Sequence, residues 1–185
     1  MKKLIISLFV VSMVAVFSTT AFAAISGGPH DLSDDGLGET QMCKFCHVPH
    51  NPQSTTAPLW NRSAPASQGT FTLYDGTAAS SVTGTSIMCL SCHDGVTNLD
   101  AFGGTTGTAG NDIDTVFAST TALVGTDLQD DHPVSVVYGT AGTGDGVNYK
   151  ASPDGDLTGQ LESTRVECGT CHDAQIGRAS CRERV

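Results

Sequence analysis

The chain has 185 residues, and its composition excludes several classes of protein before any motif is considered. Residues 24–175 carry 18 acidic and 4 basic side chains, and the difference is a formal charge of −14, which argues against nucleic acid or an anionic membrane as a partner. Aromatic residues make up only 6% of the chain, so a domain of this size has trouble building an ordinary core. Either the chain is largely disordered, or a group other than protein supplies apolar bulk.

Residues 1–23 are predicted to form a secretory signal peptide. The chain opens with Met-Lys-Lys, continues with an apolar run of 14 residues, and reaches Ala-Phe-Ala just before residue 24. A short basic start, an apolar stretch and an A-x-A sequence are the parts of such a peptide, with cleavage expected after Ala23. The alternative is a membrane anchor, but the apolar run is short for a span of about 20 residues. We therefore expect an exported protein without a membrane span.

Six of the seven cysteines fall into three copies of one motif, C-x-x-C-H. This is the attachment signature of c-type haem. Two thiols at this spacing reach the two vinyl groups on one edge of the porphyrin, and the adjacent histidine binds the iron. The alternatives are a redox disulfide, a zinc site or structural disulfides, but none of them explains the histidine after every second cysteine. We predict three covalently attached haems c, held by Cys43, Cys46, His47, Cys89, Cys92, His93, Cys168, Cys171 and His172.

The six histidines divide equally between two roles. His47, His93 and His172 belong to the motifs and are the predicted proximal ligands of iron. A six-coordinate haem needs a second ligand, usually histidine or methionine. Met42 and Met88 each adjoin the first cysteine of a motif, on the proximal side of their own haem, which makes them poor candidates. The candidate distal ligands are therefore the three remaining histidines, namely His30, His50 and His132.

His50 follows His47 by only three residues, in the sequence CKFCHVPH. Because the porphyrin plane separates the two axial positions, His50 is not expected to be the second ligand of the same haem. We expect it to bind the iron of a different haem, with Pro49 stiffening the short connection. His30 and His132 each adjoin an aspartate, and a flanking carboxylate is a suitable acceptor for the second ring N–H. The residues alone do not assign a distal histidine to a particular haem.

Regular secondary structure is predicted to be sparse. The stretches 94–131 and 138–159 are rich in Gly, Thr, Ala and Asp, and they predict loops with few short strands. Residues 24–175 are expected to form a single multihaem cytochrome domain that is mostly coil. Trp60, the only tryptophan, is expected to pack on a porphyrin or in the core. Short helices are predicted at the three motifs, over residues 38–47, 86–93 and 163–172.

The last ten residues, 176–185, differ in character from the rest of the chain. They read IGRASCRERV and include three arginines and the seventh cysteine, Cys181. The string resembles the in-frame translation of a common sequencing adapter, so we interpret it as a non-native tail. The alternative is a native basic tail. We expect the natural protein to continue with a different sequence from about residue 175.

The motifs also resemble a known family when they are taken in order. PHDLS, CKFCHVPHNP, APLWNR, CLSCHDG, DDHPVS and VECGTCHD look like the multihaem c-type cytochromes of metal-reducing bacteria, in particular the tetrahaem outer-membrane cytochrome E type. The likeness covers almost all of residues 28–173. It implies bis-histidine haems stacked into a conduit, a mostly coiled fold and a homopolymeric extracellular filament. It also maps His30, His50 and His132 onto distal-ligand positions, one of which is allowed to serve a neighbouring subunit.

Two features depart from that family. A fourth C-x-x-C-H motif near the C-terminus is absent, and Gln175 stands where the family has the last histidine of C-x-x-C-H-x-x-H. Truncation explains both departures. We hypothesise that the complete protein has a histidine at position 175 and a fourth haem beyond it.

Electron transfer is the predicted function, with redox partner proteins or extracellular electron acceptors as partners. The protein is expected to lie outside the cell or on its outer surface, and otherwise in the periplasm. A monomeric periplasmic electron shuttle is the first alternative, and the sequence separates it poorly from a filament subunit. A multihaem reductase is the second alternative. It needs an iron with an open position, and the balanced histidine count argues against an enzyme.

Overall fold

A computed structural model gives the fold of the chain. Helices and strands are few and short in the part of the chain that it describes, and most residues there lie in turns and loops. None of the helices in that part is long and apolar enough to cross a membrane, as expected. The predicted signal peptide, His132, Gln175, residues 139–159 and the tail at 176–185 lie outside the described residues. The described residues are 25–54, 57–74, 76, 78–79, 82–117, 122–131, 133–138 and 160–174.

The first motif begins in a 3-10 helix, Met42–Phe45, rather than in a longer helix from residue 38. Gly38 has a φ of 77°, and the Glu39 carboxylate accepts hydrogen bonds from the backbone N–H groups of Thr40 and Gln41. Such local side-chain bonds offer the backbone an alternative to helical hydrogen bonding. The helix therefore begins after them, at Met42.

The second motif forms the C-terminal end of α1 (Gly84–His93). Thr83, at the N-cap, makes no capping bond with its side chain. The carboxylate of Glu162, 77 positions further along the chain, accepts the backbone N–H of Thr85 at 2.9 Å instead. A carboxylate at a helix N-terminus satisfies a free donor and interacts favourably with the helix dipole. α1 consequently begins slightly before residue 86, the start predicted from the sequence.

Two small antiparallel sheets and one further short helix lie in the segments of the chain that connect the three motifs. β1 (Phe71–Thr72) pairs with β2 (Ala78–Ala79), and Phe71 lies opposite Ala79. β3 (Val136–Val137) pairs with β4 (Arg165–Val166), and Val136 lies opposite Val166. The helix α2 (Ile113–Val116) begins after Asp112, whose side chain accepts the backbone N–H of Thr115 at 3.1 Å. The β3–β4 pair brings a distant segment beside the start of the third motif.

The third motif forms α3 (Cys168–Cys171), which is shorter than the helix predicted over residues 163–172. Ser163 and Thr164 have φ values of 51° and 70°, so the chain turns there before it enters β4. Glu167 then starts α3 through a capping box with Thr170. The prediction was wrong for the first half of this segment because a turn and strand pairing replace helical structure.

The apolar core consists of two clusters on either side of α1. We call them the Leu90 cluster and the Phe45 cluster. α1 contributes Leu90 to the first and places Cys92 against the second. Motif cysteines thus border both clusters, and each cluster is small for a domain of this length. The Leu90 cluster contains Phe71, Val82, Leu90, Leu128 and Val134, with Cys168 packed against it. The Phe45 cluster contains Leu32, Leu37, Phe45, Leu99 and Ile113, with Cys46 and Cys92 packed against it.

Candidate functional site

The first motif is closed into one tight turn. The backbone N–H of His47 donates to the carbonyl of Cys43 at 2.7 Å, which brings the two cysteines and the histidine together. Asn61 holds this turn from outside: its backbone N–H donates to the carbonyl of Cys46 at 2.9 Å, and its side chain donates to the carbonyl of Lys44 at 2.6 Å. The predicted attachment residues therefore occupy a fixed local structure.

The proximal histidines of the first two motifs share one arrangement. Nδ1 of His47 lies 3.1 Å from the carbonyl oxygen of Pro58, and Nδ1 of His93 lies 2.6 Å from the carbonyl oxygen of Ala122. A carbonyl only accepts hydrogen bonds, so Nδ1 carries the proton in both rings. The ring lone pair is then on Nε2, the atom that binds the metal when the other nitrogen donates to a carbonyl. Both histidines are thus in the tautomer that an axial iron ligand requires.

His30 faces the ring of His93, although the two residues are far apart in the chain. Their ring centroids are 6.1 Å apart, and the ring planes meet at 72°. A metal–nitrogen bond is about 2.0 Å long and the ring centre lies about 1.1 Å behind the nitrogen, so two imidazoles on opposite sides of one metal have centroids about 6 Å apart. The observed separation fits this value. Of the three predicted distal ligands, His30 is the one that the described residues place opposite a motif histidine.

The surroundings of His30 favour its neutral form. Desolvation, followed by the nearby charge of His93, lowers the pKa of His30, although the residue as a whole is exposed. A neutral imidazole is the form that binds a metal. The adjacent carboxylate does not fix this ring as the sequence suggested, because Asp31 accepts hydrogen bonds from the backbone N–H of Gly27 at 2.8 Å and from the hydroxyl of Ser33 at 2.5 Å.

The other predicted iron ligands are placed differently. His50 is exposed, and no ring contact joins it to another histidine in the part of the chain that the structure describes. His172 is exposed and follows α3 in an extended conformation. His132 lies outside the described residues. The expectation that His50 binds a second haem remains a prediction.

The six motif cysteines are free thiols, four of them partly buried and two, Cys43 and Cys171, exposed. Desolvation raises the pKa of Cys46 to about 11 and also raises the pKa of Cys92. The Cys89 thiol donates to Cys168, which raises the pKa of Cys89 and lowers that of Cys168. Reactive thiolates instead occupy electropositive, partly exposed positions. At Cys46, Cys89 and Cys92 the environment suits a sulfur bonded to an apolar group better than a nucleophile.

Contacts between cysteines of different motifs place the three motifs side by side. The first cysteines of the second and third motifs, Cys89 and Cys168, lie close enough to shift each other's pKa, and Gly169 in the third motif donates its N–H to Thr85 in α1. The second cysteines of the first and second motifs, Cys46 and Cys92, interact electrostatically and pack on the same Phe45 cluster. The second motif therefore lies between the other two.

Trp60 lies beside the first motif and leaves one polar atom unsatisfied. Its indole ring meets the His47 ring edge to face, with centroids 5.9 Å apart and planes at 82°. The side chain is buried, and its Nε1–H has no hydrogen-bond partner among the described residues. A buried donor without an acceptor is costly. An anionic group of a cofactor beside His47, such as a haem propionate, is an acceptor of the kind that this site lacks.

Arg62 and Glu167 are buried charged residues that the sequence reasoning did not single out. Arg62 donates to Ser91 in the second motif, and Glu167 precedes the third motif and accepts hydrogen bonds from hydroxyl groups near the start of α1. One signal was present: Arg62 is among only 4 basic residues in residues 24–175. A basic residue that is so rare in an acidic segment is expected to have specific partners.

Comparisons with known proteins add no assignment. No family model matches the chain, and no curated protein matches it. Within the described residues, no group of three or more His, Cys, Asp or Glu side chains is arranged to hold a bare metal ion.

Proposed function

We propose that the chain is an electron-transfer protein that carries a covalently attached c-type haem at each of its three C-x-x-C-H motifs. The observation that carries the proposal is the histidine pair at the second motif. Ala122 binds Nδ1 of His93, which leaves the lone pair on Nε2, and the centroid of the His30 ring lies at a separation that suits two axial ligands of one iron. A redox disulfide gives no reason for this pairing of His30 with a motif histidine.

Three further features support attachment at these positions. The thiols border the two small apolar clusters, so a porphyrin bonded to them continues each cluster. Three exposed apolar side chains lie near the motif histidines. Val96 follows His93 by three positions, Val124 donates its backbone N–H to the carbonyl of His93, and the carbonyl of Leu59 accepts the backbone N–H of Val48, the residue after His47. Trp60 supplies an unused donor beside the first site. Together these features fit a large group with an apolar face and acidic edges.

The haem supplies one-electron chemistry in this proposal, while the chain holds, spaces and tunes it. The covalent attachment residues are Cys43, Cys46, Cys89, Cys92, Cys168 and Cys171, and the proximal ligands are His47, His93 and His172. His30 is proposed as the second ligand at His93, and His50 and His132 as the remaining distal ligands. Direct electron transfer between neighbouring haems is part of the proposal, and it is supported by the packing of Cys46 and Cys92 on one cluster and by the hydrogen bond between Gly169 and Thr85.

The finer proposal is a subunit of an extracellular cytochrome filament, and it rests on the resemblance to filament-forming multihaem cytochromes. Contacts between two different patches of one subunit generate an open fibre. Electron microscopy of the exported protein distinguishes a filament subunit from a monomeric periplasmic shuttle. Filaments support the subunit role, and dispersed particles with full haem content favour the periplasmic shuttle.

Intact mass spectrometry of the exported protein tests the central proposal. We expect a mass that exceeds the processed polypeptide by three whole haem increments, and by four if the intact gene encodes a further motif. The double variant Cys89→Ser/Cys92→Ser should lose the mass of one haem. Cys43→Ser/Cys46→Ser should also lose the mass of one haem, in this case the haem at the first motif. A wild-type mass without haem increments contradicts the proposal.

A further inference from the structure

Two buried charged side chains of opposite sign lie near opposite ends of α1. Arg62 is 1% exposed and Glu167 is 2% exposed. Within the described residues the one salt bridge joins the surface pair Lys44 and Glu39, so neither buried ion has a counter-ion there. Each is hydrogen-bonded to neutral groups. A buried charge without a counter-ion acts on its neighbours more strongly than a solvated one, because little water screens it.

Arg62 lies at the junction of the first and second motifs. Its Nε and Nη2 donate to the hydroxyl and the carbonyl of Ser91, at 3.1 Å and 2.6 Å. Ser91 is inside the second motif, between Leu90 and Cys92. The preceding residue, Asn61, is bonded to the backbone of the first motif. The guanidinium group is therefore anchored directly to one motif and through its chain neighbour to the other.

The field of Arg62 reaches both motifs. Its guanidinium group bonds Ser91, which directly precedes Cys92, and Cys46 packs on the same Phe45 cluster as Cys92. Its two other hydrogen bonds, to the carbonyls of Leu99 at 2.7 Å and Asn98 at 2.8 Å, keep it fixed and leave its charge intact. The cation is thus a permanent part of the interior between these two sites.

Glu167 lies at the junction of the second and third motifs. Its carboxylate accepts the hydroxyls of Thr83 at 2.5 Å, Ser86 at 2.5 Å and Ser135 at 2.9 Å, and also the backbone N–H of Thr170. Four donors therefore converge on this one buried carboxylate. Glu167 directly precedes Cys168, so this fixed anion borders the third site.

We propose that these charges give the haem sites unequal reduction potentials, highest at Cys43–His47 and lowest at Cys168–His172. The inference rests on the proposed haem attachment. Reduction adds one electron to a ferric iron and makes the site more negative by one charge. A buried cation favours that change and a buried anion opposes it. Asp94, buried after His93 and bonded to Ser67 and Thr97, places a second anion at the middle site and keeps that site below the first.

The order of potentials sets a direction. Electrons entering at the third site are drawn through the second to the first, where the reduced state is most favourable. Each transfer moves one electron from a ferrous to a ferric iron, and no proton or bond changes partner. The chain on this proposal is a relay with a preferred direction rather than a set of equivalent sites.

The test measures the potential of each haem in the exported holoprotein. Nuclear magnetic resonance during a stepwise redox titration assigns each potential to its attachment motif. In the wild-type protein we expect the first site to be reduced first and the third site last. The reverse order, or three equal potentials, overturns the proposal even when all three haems are present. A wild-type protein without haem overturns the proposed function instead.

Charge variants test the cause. Arg62→Gln should make the first haem harder to reduce by about tenfold in its redox equilibrium constant, which is about 59 mV for a one-electron couple. Glu167→Gln should make the third haem easier to reduce by a similar factor. Arg62→Lys keeps the charge, and as the matched control it should keep the order. If Arg62→Gln does not mature, the wild-type order and Arg62→Lys still decide the question.

Discussion

Backbone carbonyls, rather than side chains, orient the rings of the histidines in the first and second motifs. Pro58 and Ala122 each accept a proton from Nδ1 of a motif histidine, and neither residue type carries any sequence signal for that role. The motif spacing predicts which histidines bind iron, but the acceptors depend on where two distant loops pass. A ring that is already fixed by a hydrogen bond loses less rotational freedom when it binds a metal.

A variant of His30 tests its assignment to the haem at His93. His30→Ala should keep all three haems, because attachment needs only the motif, but it should open one iron coordination position. The expected result is carbon monoxide binding to about one haem of the reduced protein, seen by difference spectroscopy. His30→Met is the matched control, since methionine restores a ligand and should raise the potential of that haem. Carbon monoxide binding by the wild-type protein, or none by His30→Ala, contradicts the assignment.

At the residue scale the sequence carries more signal for the proposed chemistry than for its surroundings. All nine predicted positions in the motifs follow from three copies of one pattern. The contacts of Arg62, Glu167 and Glu162 do not, because most of their hydrogen-bond partners lie between 29 and 84 positions away in the chain. Such residues become visible only when the loops are placed.

At the scale of the elements, the second and third motifs approach each other closely through α1 and α3. A Cβ atom built on Gly169, in α3, lies 2.6 Å from Oγ1 and 2.9 Å from Cγ2 of Thr85, in the first turn of α1. Gly169 also donates its N–H to Thr85 Oγ1 at 2.8 Å. The glycine inside the third motif therefore allows the second and third motifs to touch, as the Cys89–Cys168 contact requires.

Replacing Gly169 by alanine should separate α1 from α3. We expect a loss of about 1–3 kcal/mol in the free energy of unfolding of the holoprotein, because the added methyl group overpacks a fixed contact. Denaturant titration followed by circular dichroism measures it. In a double-mutant cycle with Thr85→Ala the two losses should be less than additive, since the second change removes the clashing atoms. Strict additivity of the two losses would show that Gly169 and Thr85 are not in contact.

The N-terminus of α2 provides a pH-dependent contribution. The hydrogen bond from the backbone N–H of Thr115, reinforced by the Thr115 hydroxyl, lowers the pKa of Asp112. Because the folded-state pKa is depressed, this stabilisation is present above the unfolded value near 3.8 and is lost as the pH falls through the folded value.

Asp112→Ala should therefore destabilise the protein by about 1 kcal/mol or less at pH 7, the cost of losing an exposed N-cap. Urea titrations at pH 7 and at pH 3 should show a smaller difference from wild type at the lower pH. Asp114→Asn, an exposed change in the same helix, is the control and should show almost no difference. An Asp112→Ala effect that grows as the pH falls is incompatible with the assigned cap.

At the scale of the whole molecule, the described residues form two small apolar clusters rather than one core. Each contains five buried apolar side chains, and both depend on α1. Low aromatic content and abundant glycine predicted a weak core from the sequence, but not its division into two. The division follows from α1 presenting Leu90 to one side and Cys92 to the other, which depends on where β1 and the loop around Leu99 pack.

The protein without cofactor should lack cooperative folding. A variant with serine at all six motif cysteines should give a broad denaturant transition and poorly dispersed nuclear magnetic resonance spectra, because each cluster alone buries too little apolar surface to offset chain entropy. The exported wild-type holoprotein, measured in the same buffer, should unfold sharply. A sharp transition in the six-serine variant would show that the clusters suffice without haem.

The packing of Cys46 and Cys92 has a consequence for the order of events in biosynthesis. Both thiols lie partly buried against the Phe45 cluster, so closing of the cluster restricts the access of a maturation enzyme to the sulfur. On the proposed function, we therefore expect haem to be joined to the first two motifs while the newly exported chain is still open. Haem attachment then precedes folding. A mutation that makes the Phe45 cluster close faster should lower the yield of mature protein even when every attachment residue is retained.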